Sequence, residues 1–173
     1  QILKNTESAL NNINSKASDL LRDMESVLNE NDYIHELIID YSKMFVGPYT
    51  LLAPPFGSVY LEGKREVMGE TTLNAAEHYR DEALEMKNNT YEIPDHICVE
   101  LEFIYFLIFK ELEALQAGES HLAENYFNKQ ILFLQNHIGI WIFQFINRIE
   151  KNAETKFYRN LAEAVKIFMS DEL

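Results

Sequence analysis

The sequence predicts an all-α, single-domain helical bundle over residues 1–173, interrupted by one long Pro/Gly-containing loop. Three observations carry this reading. Apolar residues recur at three- and four-residue intervals through most of the chain, the period of a helix with one buried face. No period-two alternation bounded by hairpin signals occurs, and Ser58-Val59-Tyr60 is the one short stretch that reads as extended. Three of the four prolines lie between Pro48 and Pro55, so the helix breakers concentrate in one place and leave both flanks to helices. A length of 173 residues is near the usual size of one domain and suffices to bury a core.

Taken in order, Leu10, Ile13, Ala17, Leu20, Met24 and Val27 mark the buried face of a first helix. Asn29 to Asp32 interrupts it, and Asp32 is placed to cap a second helix that turns Leu37, Ile38, Tyr41, Met44 and Phe45 inward and stops at Gly47-Pro48. Gly47 to Gly69 is the irregular segment, long enough to imply a role of its own. Helical periodicity resumes at Leu73, Ala76, Tyr79, Ala83 and Leu84, capped by Thr71 or Thr72, and fails at the linker from Asn88 to Thr90. Asp95, directly after Pro94, is placed to cap the next helix, which runs to about Gln116 with Gly118 past its end. Ser120 caps a helix with Leu122, Tyr126, Phe127, Ile131 and Leu134 inward, and the following one carries Ile138, Trp141, Ile142, Phe145 and Ile149. Thr155 caps the last, with Phe157, Leu161, Val165 and Phe168 inward.

The formal net charge of −13 opposes non-specific binding to nucleic acid and favours basic partners. The single Cys98 cannot form an internal disulfide and, inside an apolar helix, reads as an inert core residue in a reducing compartment. The run Phe103 to Phe109 falls far short of the roughly 20 residues of a membrane span and reads as the middle of a buried core helix. No leader-like stretch precedes the first helical segment, although the chain opens at Gln1 without a methionine, and the cytoplasm is the expected location. None of His35, His78, His96, His121 and His137 follows a glutamate at the Glu-x-x-His spacing of di-iron bundles. The six glycines form neither a Walker loop nor a dinucleotide fingerprint. No metal, cofactor or catalytic residue is expected, and the chain reads as a non-enzyme.

Two segments carry a pattern beyond periodicity. Gly47-Pro48 and then Ala53-Pro54-Pro55-Phe56-Gly57-Ser58-Val59-Tyr60 lie in the first; Glu92-Ile93-Pro94-Asp95-His96-Ile97 and Glu100-Leu101-Glu102-Phe103 lie in the second. In that order they resemble the signature segments of the TorD/DmsD family of cytoplasmic redox-enzyme maturation chaperones, and the resemblance extends from about Leu37 to Phe145. Asp40-Tyr41 and Met44-Phe45 match the run into Gly-Pro, with Tyr41 and Phe45 read as core. His137 and Trp141 are similar to the family's His-x-x-x-Trp helix, with Trp141 read as buried. Phe56 stands where family members often carry Trp or Tyr.

The resemblance implies a chaperone that binds the twin-arginine leader, and the apo form, of a molybdenum-cofactor oxidoreductase until cofactor insertion and export. It implies a peptide-binding site at Glu92, Pro94, Asp95, His96, Phe56, Ser58 and Tyr60. A carboxylate accepts charge-assisted bonds from an arginine fork, and a proline-stiffened aromatic loop suits one wall of an apolar groove. The residues alone read differently: Asp95 as a helix cap, His96 as first-turn filler, and Phe56 and Tyr60 as pins of a stiff connection. The resemblance implies an additional N-terminal helical segment, part of which is expected to be lacking from residues 1–173, and a monomer or a domain-swapped homodimer is expected. A structural or adaptor bundle and a helical hydrolase are the alternative functions.

Overall fold

The computed structural model describes residues 2–12, 16–28, 33–48, 50–63, 69–85 and 93–172, with backbone alone at 10–12 and 172. The elements are α1 (Ile2–Asn12), α2 (Ala17–Val27), α3 (Tyr33–Tyr41) with a π turn at Ser42–Val46, α4 (Gly57–Leu61), α5 (Glu70–Asp81), α6 (Ile97–Ala117), α7 (Ser120–Phe133) with a π turn at Leu134–Ile138, α8 (Gly139–Asn152) and α9 (Lys156–Glu172). Among the described residues the one extended pairing is an isolated antiparallel bridge between Phe56 and His96, so the fold is all-α. The chain forms two compact units: Gln1–Pro54 with Phe143–Leu173, and Pro55–Ile142.

In the first unit, Ala17, Leu21 and Met24 of α2 pack on Ala164 of α9, with Leu3, Leu20, Phe157, Leu161 and Ile167 around them. The expected single helix through Leu10 to Val27 is instead two, α1 and α2, with Lys16 in a turn between them. Ile13, Asp32 and the Asn88 to Thr90 linker lie outside the described residues.

Asp40 organises this unit. It is fully buried and accepts from the Glu154 N–H at 3.1 and 3.2 Å, the Thr155 N–H at 2.8 Å and the Thr155 hydroxyl at 2.7 Å. The two residues before α9 are therefore held from α3, whose Tyr33 hydroxyl accepts the first-turn Phe157 N–H at 3.0 Å, and Thr155, expected to cap α9, gives its hydroxyl to Asp40. These bonds turn Asp40 and Met44 inward and leave Ile38 and Tyr41, both expected in the core, exposed. Phe45 is half-buried against Tyr41, Phe145 and Tyr158. Gly47, at φ 94°, closes the π turn in a backbone conformation that favours glycine, where the stop was expected.

In the second unit α6 and α7 form a hairpin across Gly118, whose φ of 77° is left-handed. Phe103 of α6 packs its ring on Tyr79 of α5 and Phe133 of α7, each at 4.8 Å between centroids. Several expectations fail here. The N-cap of α6 is His96 in place of Asp95. Cys98 is exposed, and the supposed core run is buried along one face, at Phe103 and Leu107, and open along the other. That open face carries Leu101, Tyr105, Ile108, Leu112 and Leu115 at alternating four- and three-residue steps, with Tyr105 69 % exposed. In α7, Ala123 and Phe133 are buried where Leu122, Phe127 and Ile131 were expected. In α9, Ala162, Ala164 and Met169 are buried while Phe168 is exposed. Apolar residues ring these helices, so periodicity alone cannot select which arc meets a neighbour.

The face of α5 is likewise rotated: Thr72, Ala75 and Tyr79 are buried and Leu73 is exposed. Gly69, not a threonine, occupies the N-cap, and the Glu62 carboxylate accepts the Thr71 N–H at 2.9 Å. Ser58-Val59-Tyr60 is helical, not extended, and places α4 inside the segment expected to be irregular.

Replacing Asp40 by Ala orphans one buried N–H, one partly buried N–H and a hydroxyl, and the expected loss is about 2–4 kcal/mol of unfolding free energy. Thr155→Val removes one of those bonds and is expected to cost about 1 kcal/mol. Urea denaturation of both variants against the parent checks the ordering.

Candidate functional site

The site grows from Pro54-Pro55, which deliver Phe56 in an extended conformation at φ −125°, ψ 129°. The Ile97 N–H donates to the Pro55 carbonyl at 2.9 Å and the Gly57 N–H to the Asp95 carbonyl at 3.0 Å, which makes the bridge between Phe56 and His96. The Asp95 side chain is 0 % exposed. Its Oδ2 accepts the Ser58 N–H at 2.7 Å, and its Oδ1 accepts the Thr72 hydroxyl at 3.0 Å. Asp95 thus caps α4 and ties it to α5. The Tyr79 hydroxyl donates to the Pro94 carbonyl at 2.7 Å, a second tie from α5 to the same turn. Burial, then the nearby Glu100 and Asp95, push that phenol well above its ordinary range.

His96 sits at the mouth of this turn, half-buried. Its Nδ1 accepts the Cys98 N–H at 3.1 Å and caps α6, which leaves Nε2–H as the ring's donor. Its ring stands edge-on to Phe56, 5.1 Å between centroids.

Behind this turn lies a buried polar layer. Trp141, 0 % exposed, donates its indole N–H to Glu100 Oε2 at 3.1 Å and stacks on Tyr60 at 5.4 Å. Gly57 abuts the indole so closely that a Cβ there would lie 3.1 Å from Nε1. The second Glu100 oxygen has no hydrogen-bond partner and lies 3.9 Å from Nδ1 of the buried His137, which packs against Phe133 and His78. Desolvation raises the Glu100 carboxyl to about 8 and, with His78 adding to it, lowers His137 to about 4, so both are neutral near pH 7.

The structure brings Phe56, Ser58, Pro94, Asp95 and His96 together and sets Tyr60 on Trp141. Glu92 lies outside the described residues. Ser58 and Asp95 are wholly buried, Phe56, Tyr60, Pro94 and His96 partly so. Sequence reasoning named Thr72 as a cap candidate and Glu100 and His137 as parts of the resemblance but left all three out of the site; for the last two, a glutamate on an apolar helix and a histidine four residues before the tryptophan were the available signals. No group of three or more side chains able to hold a metal is gathered among the described residues, and no described helix is long and apolar enough to cross a membrane.

Among known proteins, the sequence profile of the nitrate reductase delta subunit family matches residues 8–147. The chain belongs to this family. It is 27 % identical over 122 residues to a probable Tat proofreading chaperone DmsD of Haemophilus influenzae, covering 70 % of this chain and 53 % of that one. It is 28 % identical over 141 residues to the chaperone protein TorD of Vibrio parahaemolyticus, covering 81 % of this chain and 64 % of that one. It therefore spans less than two thirds of the length of these relatives. A crystal structure of a putative redox enzyme maturation protein from Archaeoglobus fulgidus shares the fold, with a TM-score of 0.55 at 21 % identity, over 97 % of this chain and 82 % of that one. The TorD/DmsD resemblance read from the two segments and the family match agree.

Two outcomes test the buried layer. Glu100 has a folded pKa above its ordinary 4.5 and His137 one below its ordinary 6.5. Between about 6.5 and 8 the unfolded chain has released the Glu100 proton while the folded chain keeps it, so stability falls as pH rises, by about 1 kcal/mol per unit. From about 4.5 to 6.5 the opposite slope of His137 offsets it. Glu100→Gln is expected to abolish the decline between pH 6.5 and 8, read from urea midpoints across that range. Gly57→Ala is expected to cost about 1–3 kcal/mol by overpacking the indole, and to change the emission of Trp141, the single tryptophan of the chain.

Proposed function

We propose that this protein is a cytoplasmic, non-enzymatic chaperone that binds the twin-arginine leader of a molybdenum-cofactor oxidoreductase, and its apo form, until cofactor insertion and export. The observation that carries the reading is the paired rings of Phe56 and His96, held at the mouth of a turn by the buried Asp95. Family membership and the chaperone names of the relatives support it. In this reading Phe56, Pro94, His96 and Tyr60 receive the apolar part of the leader. Asp95 and Ser58 position the turn. Asp95 is 0 % exposed, so an arginine reaches that carboxylate only if the turn that carries it opens. The charge of −13 draws a basic leader in, and burial of its apolar stretch holds it. Glu92 remains a proposed member of the site, and the association state a monomer or a domain-swapped homodimer. The open, regularly stepped face of α6 favours a second reading, an adaptor that pairs with a partner helix.

Calorimetric titration with a peptide bearing two adjacent arginines and an apolar stretch is expected to show binding that weakens when both become lysine. His96→Ser keeps a capping oxygen and deletes the ring; it is expected to weaken the leader about tenfold or more while moving stability by no more than about 0.5 kcal/mol. Leaders from several molybdoenzymes that all fail to bind at low salt would overturn the proposal.

A further inference from the structure

A cleft of about 410 Å³ lies between α5 and the segment entering α8, wholly within the Pro55–Ile142 unit. Glu70, Asn74 and Glu77 line it from α5 at positions i, i+4 and i+7, one stripe of a helix. Asn136 and His137 face them from the π turn. Leu61, Leu73 and Ile140 supply apolar wall. Glu70 makes no ion pair among the described residues, and Glu77 has only an exposed one with Arg80 at 3.7 Å.

The acidic pair alone would be a solvated helix face. What distinguishes the place is His137: it is 2 % exposed, lines the cleft, and neither ring nitrogen has a hydrogen-bond partner. An unpartnered buried imidazole is costly, and a neutral one offers a lone pair that calls for an N–H donor. Two carboxylates and two amide oxygens beside that buried imidazole make an acceptor-rich, negatively charged pocket, which repels phosphates and other anions. Its complement is a cation with several N–H donors on an apolar stem, the chemistry of an arginine side chain.

We propose that this cleft is a guanidinium-binding site that takes one arginine of the leader. The assignment rests on the leader-binding reading above and adds a second contact to it. The two contacts share α5, which bonds the Pro-Asp-His turn through Thr72 and Tyr79 and lines the cleft through Glu70, Asn74 and Glu77. One rigid helix therefore sets the distance between the place for an arginine and the place for the apolar stretch, and a leader with the wrong spacing is rejected.

The test uses the whole chain, isotopically labelled, titrated with N-acetylarginine amide and with its neutral analogue N-acetylcitrulline amide while the His137 ring and the Asn74 and Asn136 side-chain signals are followed by NMR. Saturable shifts with the arginine probe and none with citrulline are expected. Glu70→Gln combined with Glu77→Gln is expected to weaken the arginine probe about tenfold, the factor two partly exposed ion pairs supply together, with an unchanged melting temperature. Signals that stay still with the arginine probe, or move equally with citrulline, overturn the site. The leader peptide is titrated into the same double variant. A leader that binds wild type and variant alike overturns the assignment of the cleft to the leader and leaves the chaperone reading standing. An arginine probe that binds while every leader fails does the reverse.

Discussion

The hydrogen bonds of the buried Asp95 carboxylate are the constraint on which the Pro55–Ile142 unit depends. A carboxylate removed from water must be satisfied, and here its two oxygens take the Ser58 N–H and the Thr72 hydroxyl. Those bonds start α4, orient α5 and hold the turn before α6. A five-residue helix such as α4 has little stability of its own, because the first turn costs more than it returns. The remote carboxylate supplies what the short sequence lacks. In the other unit the buried Asp40 holds the two residues that precede α9, and the Tyr33 hydroxyl accepts the first-turn Phe157 N–H.

The Pro-Asp-His triplet divides its labour accordingly. Pro94 gives its carbonyl to Tyr79, Asp95 anchors two helices, and His96 caps α6 while its ring meets Phe56 at the mouth. Asp95 and His96, read from the resemblance as two groups of a binding site, are a buried anchor and a partly exposed ring, with Pro94 partly exposed beside them. That arrangement limits motion where a ligand would be met, because displacing His96 means breaking the bridge to Phe56 and the bonds of Asp95 together. Beneath it Glu100 and His137 are neutral, and the layer keeps Trp141 bonded without adding buried net charge.

The open arc of α6 is the other feature with consequences. A helix apolar on every side normally disappears into a core, yet Leu101, Tyr105, Ile108, Leu112 and Leu115 face solvent here. The unit buries the arc that meets Tyr79 and Phe133 and leaves the remainder available, and such a surface on a strongly acidic protein suits association with a basic, apolar partner.

Most of the helices, apart from α4 and the division between α1 and α2, two helix stops and the location of the signature turn were legible in the sequence by itself. Gly47 and Gly118 end helices as expected because a left-handed residue with no Cβ is a local requirement. Ile138, Trp141, Ile142, Phe145 and Ile149 are all buried as read, since α8 has a single apolar face and periodicity is decisive there. Where apolar residues surround the helix, as in α3, α6 and α7, the pattern leaves several faces equivalent, and tertiary contacts chose among them. The capping partners were decided at that level too. Asp95 looked like the cap of the helix it precedes and instead caps α4, thirty-seven residues away in sequence. A carboxylate has no sequence mark that tells a local N–H partner from a distant one; only the packing of α4, α5 and α6 brings the distant donors within reach.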